Sequence, residues 1–229
     1  MMDLPIQRSR AAFTLIEMIV VMLIIVTLAA LLLTAASSVF DRARKAQAKD
    51  DVIQIGNAVN AFYTEYGRYP VNITDATKDA FFGTGAAPPG SVSYGNNDVL
   101  LDVLRSNTDA SGPNLATVNL LNPRRIVFLS PSGAKNTTPP RGGIAPDRRY
   151  YDPWASQYAV TIDTNYDNTI ANPYSDADGS AGTNPIRQGV IAYSYGKNGA
   201  LGGGSASSPY SSEGGSAGIF KASSDVLSW

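Results

Sequence analysis

The sequence predicts an α+β fold: one long amino-terminal helix, then a small antiparallel sheet with long loops. Three observations carry this. A helical apolar pattern runs from residue 13 to residue 66, with no proline between Pro5 and Pro70. Beyond Pro70 the composition turns to Gly, Pro, Ser, Asn and Thr. Within that second part, short runs of β-branched and aromatic residues are bounded by turn formers, the pattern of strands.

Taken in order, residues 1–12 form a short polar leader carrying Arg8 and Arg10 against Asp3. Residues 13–40 are almost wholly apolar, apart from Glu17 near the start. At about 1.5 Å per residue they are long enough to cross a hydrocarbon core of roughly 30 Å. An acid there costs at least a few kcal/mol unless it finds a partner. The small pair Ala11–Ala12 precedes the apolar run, whereas an ordinary secretory signal places small residues after it. A processing site here would therefore retain the helix; an uncleaved signal anchor is the alternative. Arg42, Arg44, Lys45 and Lys49 on the far flank match the leader's charge, so the positive-inside rule fixes no direction.

Residues 41–67 continue the helix in amphipathic form. Val52, Ile55, Val59, Phe62 and Tyr66 recur at spacings of three and four, one apolar face that packs on a following domain. Gly67 and Pro70 end it. Residues 68–229 make the β-rich head. Residues 98–105 have helical spacing, and 126–129 read as a short strand or an extended buried piece. A long loop over 130–150 is marked by Pro131, Pro139, Pro140 and Pro146. Residues 157–162 and 190–195 read as strands, with 219–221 a weaker one, and the Gly/Ser/Ala-rich stretch 199–218 reads as a flexible surface loop.

Composition narrows the function. The chain has no Cys and no His, which excludes thiol nucleophiles, Ser–His catalysis and nearly every zinc or haem site. A net charge of −1 supplies no global field for nucleic acid. Arg124–Arg125 and Arg148–Arg149 read as surface charge rather than a base-stacking platform. The acids are sixteen Asp against three Glu, placing most of the acidity in turns, caps or oxygen-rich loops. Residues 163–168 alternate carboxylate and amide oxygens like the opening of an EF-hand, but lack its sixth-position Gly and twelfth-position acid, so a turn is expected.

Phe13-Thr14-Leu15-Ile16-Glu17 behind Ala12, followed by the unbroken apolar run, resembles the signal of type IV pilin-like proteins. The resemblance implies a pilin-like fold, cleavage by a prepilin peptidase between Ala12 and Phe13, N-methylation of Phe13, and an assembly role for Glu17. That acid would meet the Phe13 amine of a neighbouring subunit or of its own chain. Tyr69-Pro70, Asp152-Pro153-Trp154 and the stretch Asp225 to Trp229 are similar to the major pseudopilin of type II secretion, which has Gly where Ala155 stands. The resemblance further implies calcium held by Asn198 (Asp in that family) and Asp225, with a carbonyl near Tyr195. It implies an inner-membrane subunit with its head in the periplasm, self-assembling into a helical filament. Its partners would be other pseudopilins, an inner-membrane platform and its ATPase, with no catalysis of its own. A surface type IV pilus subunit and a membrane-tethered enzyme are the alternatives.

Overall fold

A computed structural model describes residues 14–107, 109, 112–136, 138–204 and 213–229, with side chains 32–38 and 213 outside that set. The chain divides into two compact units, Met1–Ala43 and Arg44–Trp229. Helix α1 spans Leu15–Tyr66, close to the limits the apolar pattern predicts.

In the second unit, the apolar face of α1 is the spine of the core. Ala48, Val52, Ile55, Val59 and Phe62 are fully buried, and Tyr66 packs partly buried beside them. Against this stripe lie α2 (Asp98–Leu104), the buried side of α3 (Leu115–Leu121), and one face of a five-stranded sheet. The sheet has the order β2-β1-β5-β6-β9, from Ser91–Ser93, Asp79–Phe82, Ala159–Ile162, Val190–Ser194 and Val226–Leu227. All its pairings are antiparallel except β1 with β2, so the sheet is mixed rather than purely antiparallel. Every residue of β1, β5 and β6 is buried, because α1 covers one face and Tyr174, Ala181, Leu201, Phe220 and Trp229 pack on the other. Strands buried on both faces lose the apolar–polar alternation that marks a half-exposed strand. That loss explains why Asp79–Phe82 carries no strand signal in the sequence.

Two buried acids brace the sheet, one from α1 and one from the turn after β4 (Tyr150–Tyr151). Tyr158 donates to Asp51 of α1 at 2.7 Å. Asp152, fully buried, accepts from the backbone N–H groups of Trp154 and Ser156, both at 2.9 Å, and from the Ser194 hydroxyl at 2.5 Å. Lys49 of α1 also donates to the Leu227 carbonyl of β9 at 2.5 Å. Ala155, in the turn that follows, sits at φ 74°, a left-handed conformation that Gly adopts without penalty. The substitution of Ala for Gly noted above thus falls where Gly is physically favoured.

Three sequence expectations need correction. Residues 219–221 are not a strand; the last strand is β9, which completes the sheet edge against β6. The stretch 199–218 is not simply a loop. Its ends pair as β7 (Gly202–Gly204) and β8 (Glu213–Ala217), and 205–212 lie outside the described residues. A Cβ on Gly203 would stand 2.1 Å from the Gly214 carbonyl oxygen, so here glycine permits close backbone pairing rather than disorder. The 130–150 loop holds a short antiparallel pair, β3 (Gly143–Ile144) with β4 (Tyr150–Tyr151). By contrast, 126–129 form no strand and run as an extended piece with Leu129 buried.

Candidate assembly helix and carboxy-terminal loop

The first turn of α1 is closed by its own side chains. The Thr14 backbone N–H and hydroxyl both donate to Glu17 Oε2 at 2.8 Å, and the Glu17 N–H donates to Thr14 Oγ1 at 3.3 Å. This is a capping box, with Thr at the cap and Glu three residues on. It satisfies donors that a helix start otherwise leaves unmade. The Thr-x-x-Glu spacing was present in the sequence as that signal, but the reading of Glu17 as an assembly acid overlooked it. A carboxylate has acceptor sites for more than these bonds, so the cap leaves Glu17 capacity for a further donor. Ala12 and Phe13 lie outside the described residues.

From Thr14 to Leu31 every described side chain is exposed. Leu15 and Ile16 are 79% and 68% accessible, and the large apolar residues from Met18 to Leu31 are about half exposed or more. At roughly 1.5–3 kcal/mol for each such side chain buried, covering this surface yields on the order of 20 kcal/mol. A helix that is apolar all round demands an apolar environment on every side. Among the described residues no helix is long and apolar enough to cross a membrane. The unbroken stretch of described side chains ends at Leu31, after about 25 Å of helix, and Val39 and Phe40 beyond it are exposed as well.

Three of the four arginines in these pairs meet acids of the same chain. Arg124 pairs with Glu65, Arg148 Nε lies 3.3 Å from Asp102, and Arg149 lies 3.7 Å from Asp147.

The carboxy-terminal loop brings the remaining predicted residues together. Tyr195 directly follows β6, the 3-10 turn Gly196–Asn198 comes next, and Asp225 directly precedes β9, which pairs with β6. Gly196, at φ 60°, could carry no Cβ, because one would lie 2.3 Å from Ser224 Oγ. Hydrogen bonds engage Asp225 Oδ2, Asn198 and the Tyr195 hydroxyl in this corner. Asp225 Oδ2 accepts from the Tyr174 hydroxyl at 2.8 Å and from the Gly202 N–H at 2.7 Å. Asn198, wholly buried, accepts from the Ala200 N–H at 3.0 Å and donates to the Gly202 carbonyl at 2.7 Å. Tyr195 donates its hydroxyl to the Thr84 carbonyl at 2.5 Å. Burial and the Asp225 charge push the Tyr174 hydroxyl far above its ordinary range.

Calcium takes six to eight oxygens and favours several carboxylates. The arrangement here provides one carboxylate, and the oxygen an ion would need from Asn198 already receives a backbone N–H. With one carboxylate and one amide oxygen, the corner offers fewer anionic donors than calcium favours. Tyr174, which sequence reasoning did not single out, closes the corner instead.

With this geometry in place, comparison with known proteins decides the amino-terminal part. A family model, the prokaryotic N-terminal methylation motif, matches residues 7–33. The chain carries that motif. The match supports a type IV pilin-like subunit of a filament, and it is consistent with processing by a prepilin peptidase. It covers Thr14, Glu17 and the exposed apolar run, the same stretch in which the helix leaves its side chains uncovered. No curated protein and no solved structure matches the chain.

Proposed function

We propose that this chain is a pseudopilin, a structural subunit of a periplasmic filament that drives protein export by type II secretion. The observation that carries the reading is the methylation motif over residues 7–33, laid on a helix with uncovered apolar side chains. On this reading residues 1–12 are a leader, removed between Ala12 and Phe13, and Phe13 is then N-methylated. Residues 13–40 anchor the subunit in the inner membrane before assembly and pack in the filament core afterwards. Residues 41–67 carry the head, residues 68–229, on the filament surface in the periplasm. Glu17 serves assembly by receiving the Phe13 amine of an adjacent subunit while Thr14 caps the same carboxylate. Stranding either charge in the packed core would cost about 3–5 kcal/mol, enough to hold subunits in register. The role is mechanical, with other pseudopilins, an inner-membrane platform and its ATPase as partners.

Mass spectrometry of protein purified from membranes should find an N-terminus at Phe13 carrying a methyl group. An intact Met1 start in cells with an active peptidase defeats the processing step. Deleting the gene should block export of extracellular enzymes and leave surface filaments in place. The opposite pattern assigns the chain to a surface pilus.

A further inference from the structure

A second oxygen-rich corner lies at the β2–β1–β5 side of the sheet, away from the carboxy-terminal loop. In the parallel β1–β2 pair, Asp79 stands opposite Ser91. In the antiparallel β1–β5 pair, Ala80 is opposite Ile162, so one step further Asp79 faces Asp163. Residues directly opposite on neighbouring strands share a sheet face. Ser91, Asp79 and Asp163 therefore form a row of oxygen-bearing side chains across three strands.

The row differs from the other acidic groups of the head in what it lacks. Asp79 is only 4% exposed, and its Oδ1 is buried with no hydrogen-bond partner among the described residues. Ser91 Oγ beside it is likewise buried and unpartnered. An unsatisfied buried polar atom costs about 1–3 kcal/mol, more when charged, and calls for an explanation. Asp163, 2% exposed, accepts from the N–H groups of Asp167 and Asn168 at 3.2 and 2.8 Å, which folds residues 163–168 back over this end of β5. Those bonds fix its carboxylate and leave acceptor sites open.

Like charges opposite one another in a sheet are destabilising. Among the described residues no cation pairs with Asp79 or Asp163. Lys78, next in sequence, lies 3.9 Å from Asp75 instead. Asp167, exposed, accepts from Thr169 and Asn165. Among the described residues no three acidic side chains are placed to hold a metal ion between them. A site here rests on two carboxylates and a hydroxyl.

We propose that Asp79, Asp163 and Ser91 bind a divalent cation of the calcium class. All the donors are hard oxygens, which suits calcium over zinc or copper. The ion would neutralise the facing carboxylates, use the two orphaned oxygens and complete its shell with water. Two carboxylates give a weak site, of the order of 10⁻⁴–10⁻³ M, the range of extracellular calcium modules. Bound there, the ion ties the β2 edge to the turn after β5.

The test uses the full chain in detergent, stripped with chelator and titrated with calcium to about 10 mM at neutral pH. Melting temperature is one readout. Terbium luminescence excited through tyrosine is the other, since Tyr69 and Tyr166 stack at 5.5 Å beside Asp163. Calcium should raise the melting temperature by several degrees and displace terbium. Asp79→Asn and Asp163→Asn should each lose both responses, Ser91→Ala should weaken them about three- to tenfold, and Asp225→Asn should keep them. Should Asp163→Asn fail to fold, Asp79→Asn and Ser91→Ala suffice, since neither removes a hydrogen bond. Absence of any calcium response in the wild type overturns the site. Responses that persist in Asp79→Asn, or vanish in Asp225→Asn, overturn it equally.

Discussion

Along α1, residues 15–31 expose every described side chain, whereas 48–62 bury Ala48, Val52, Ile55, Ala58, Val59 and Phe62. Both stretches are rich in apolar residues; they differ in arrangement. In the second, the buried apolar positions recur every three or four residues and most of the others are polar, so one face meets the sheet and the rest meets water. The first has no polar face to turn outward. One part of the helix finds its partner within the chain. The other has to find it elsewhere, which is the physical content of the methylation motif that overlaps it.

The sharpest way to break this contrast is to damage each part separately and read the head. Phe62→Ala leaves a cavity beneath the sheet and should cost about 3–5 kcal/mol, a large drop in melting temperature. Ile24→Ala should leave that melting temperature unchanged and instead reduce recovery of assembled filaments. A loss of head stability from Ile24→Ala would show that the two parts are not separable.

A smaller effect concerns pH. Burial raises the Asp152 carboxyl to about 7, against an ordinary 3.8, despite the bonds from Ser194, Ser156 and Trp154 that favour its charged form. The folded head therefore holds a proton that the unfolded chain releases. The stability from this group is full below pH about 4 and is lost as pH rises through about 7. Thermal melts in chelator should fall from pH 5 to pH 8, and Asp152→Asn should flatten part of that slope. A rise over the same range contradicts the assignment.

Two changes of about 1 kcal/mol complete the series. Thr14→Val removes the cap of α1 and should weaken its first turn by about 0.5–2 kcal/mol, read as faster amide exchange there with the head melting as before. Ala155→Gly should do the reverse in the head, stabilising it by about 0.5–1 kcal/mol through relief of a left-handed alanine. A neutral or destabilising result would mean that the turn at Ala155 relaxes without Gly.

The long helix, its buried face and the strands at 159–162 and 190–194 were legible because each has a local period or composition that only one structure satisfies. Asp79–Phe82 was not, because a strand covered on both faces shows no alternation. Ser91–Ser93 and Val226–Leu227 were too short to show one, and are strands through their neighbours. The β7–β8 pairing hid behind glycines read as slack. At the sites, Glu17 was conspicuous as a lone acid, while its cap needed attention to Thr14 three residues earlier. The carboxy-terminal corner depended on Tyr174, whose sequence distance from Asp225 leaves no local trace. Asp79 and Ser91 likewise meet only through sheet order.

The bond from Lys49 to the Leu227 carbonyl joins residues 178 apart in the chain. Together with the β6–β9 pairing, it makes the sheet's last strand a condition for finishing the first helix's seat. During synthesis the apolar run of α1 emerges before the head, which stays incomplete until residues 224–229 appear. For most of that interval the chain presents sticky helix and unfinished sheet together, so its early handling by the cell falls to whatever shields the helix, and folding of the head comes afterwards. A fusion or truncation at the carboxy-terminal side would thus act on the production of competent subunits before it acted on any contact between them.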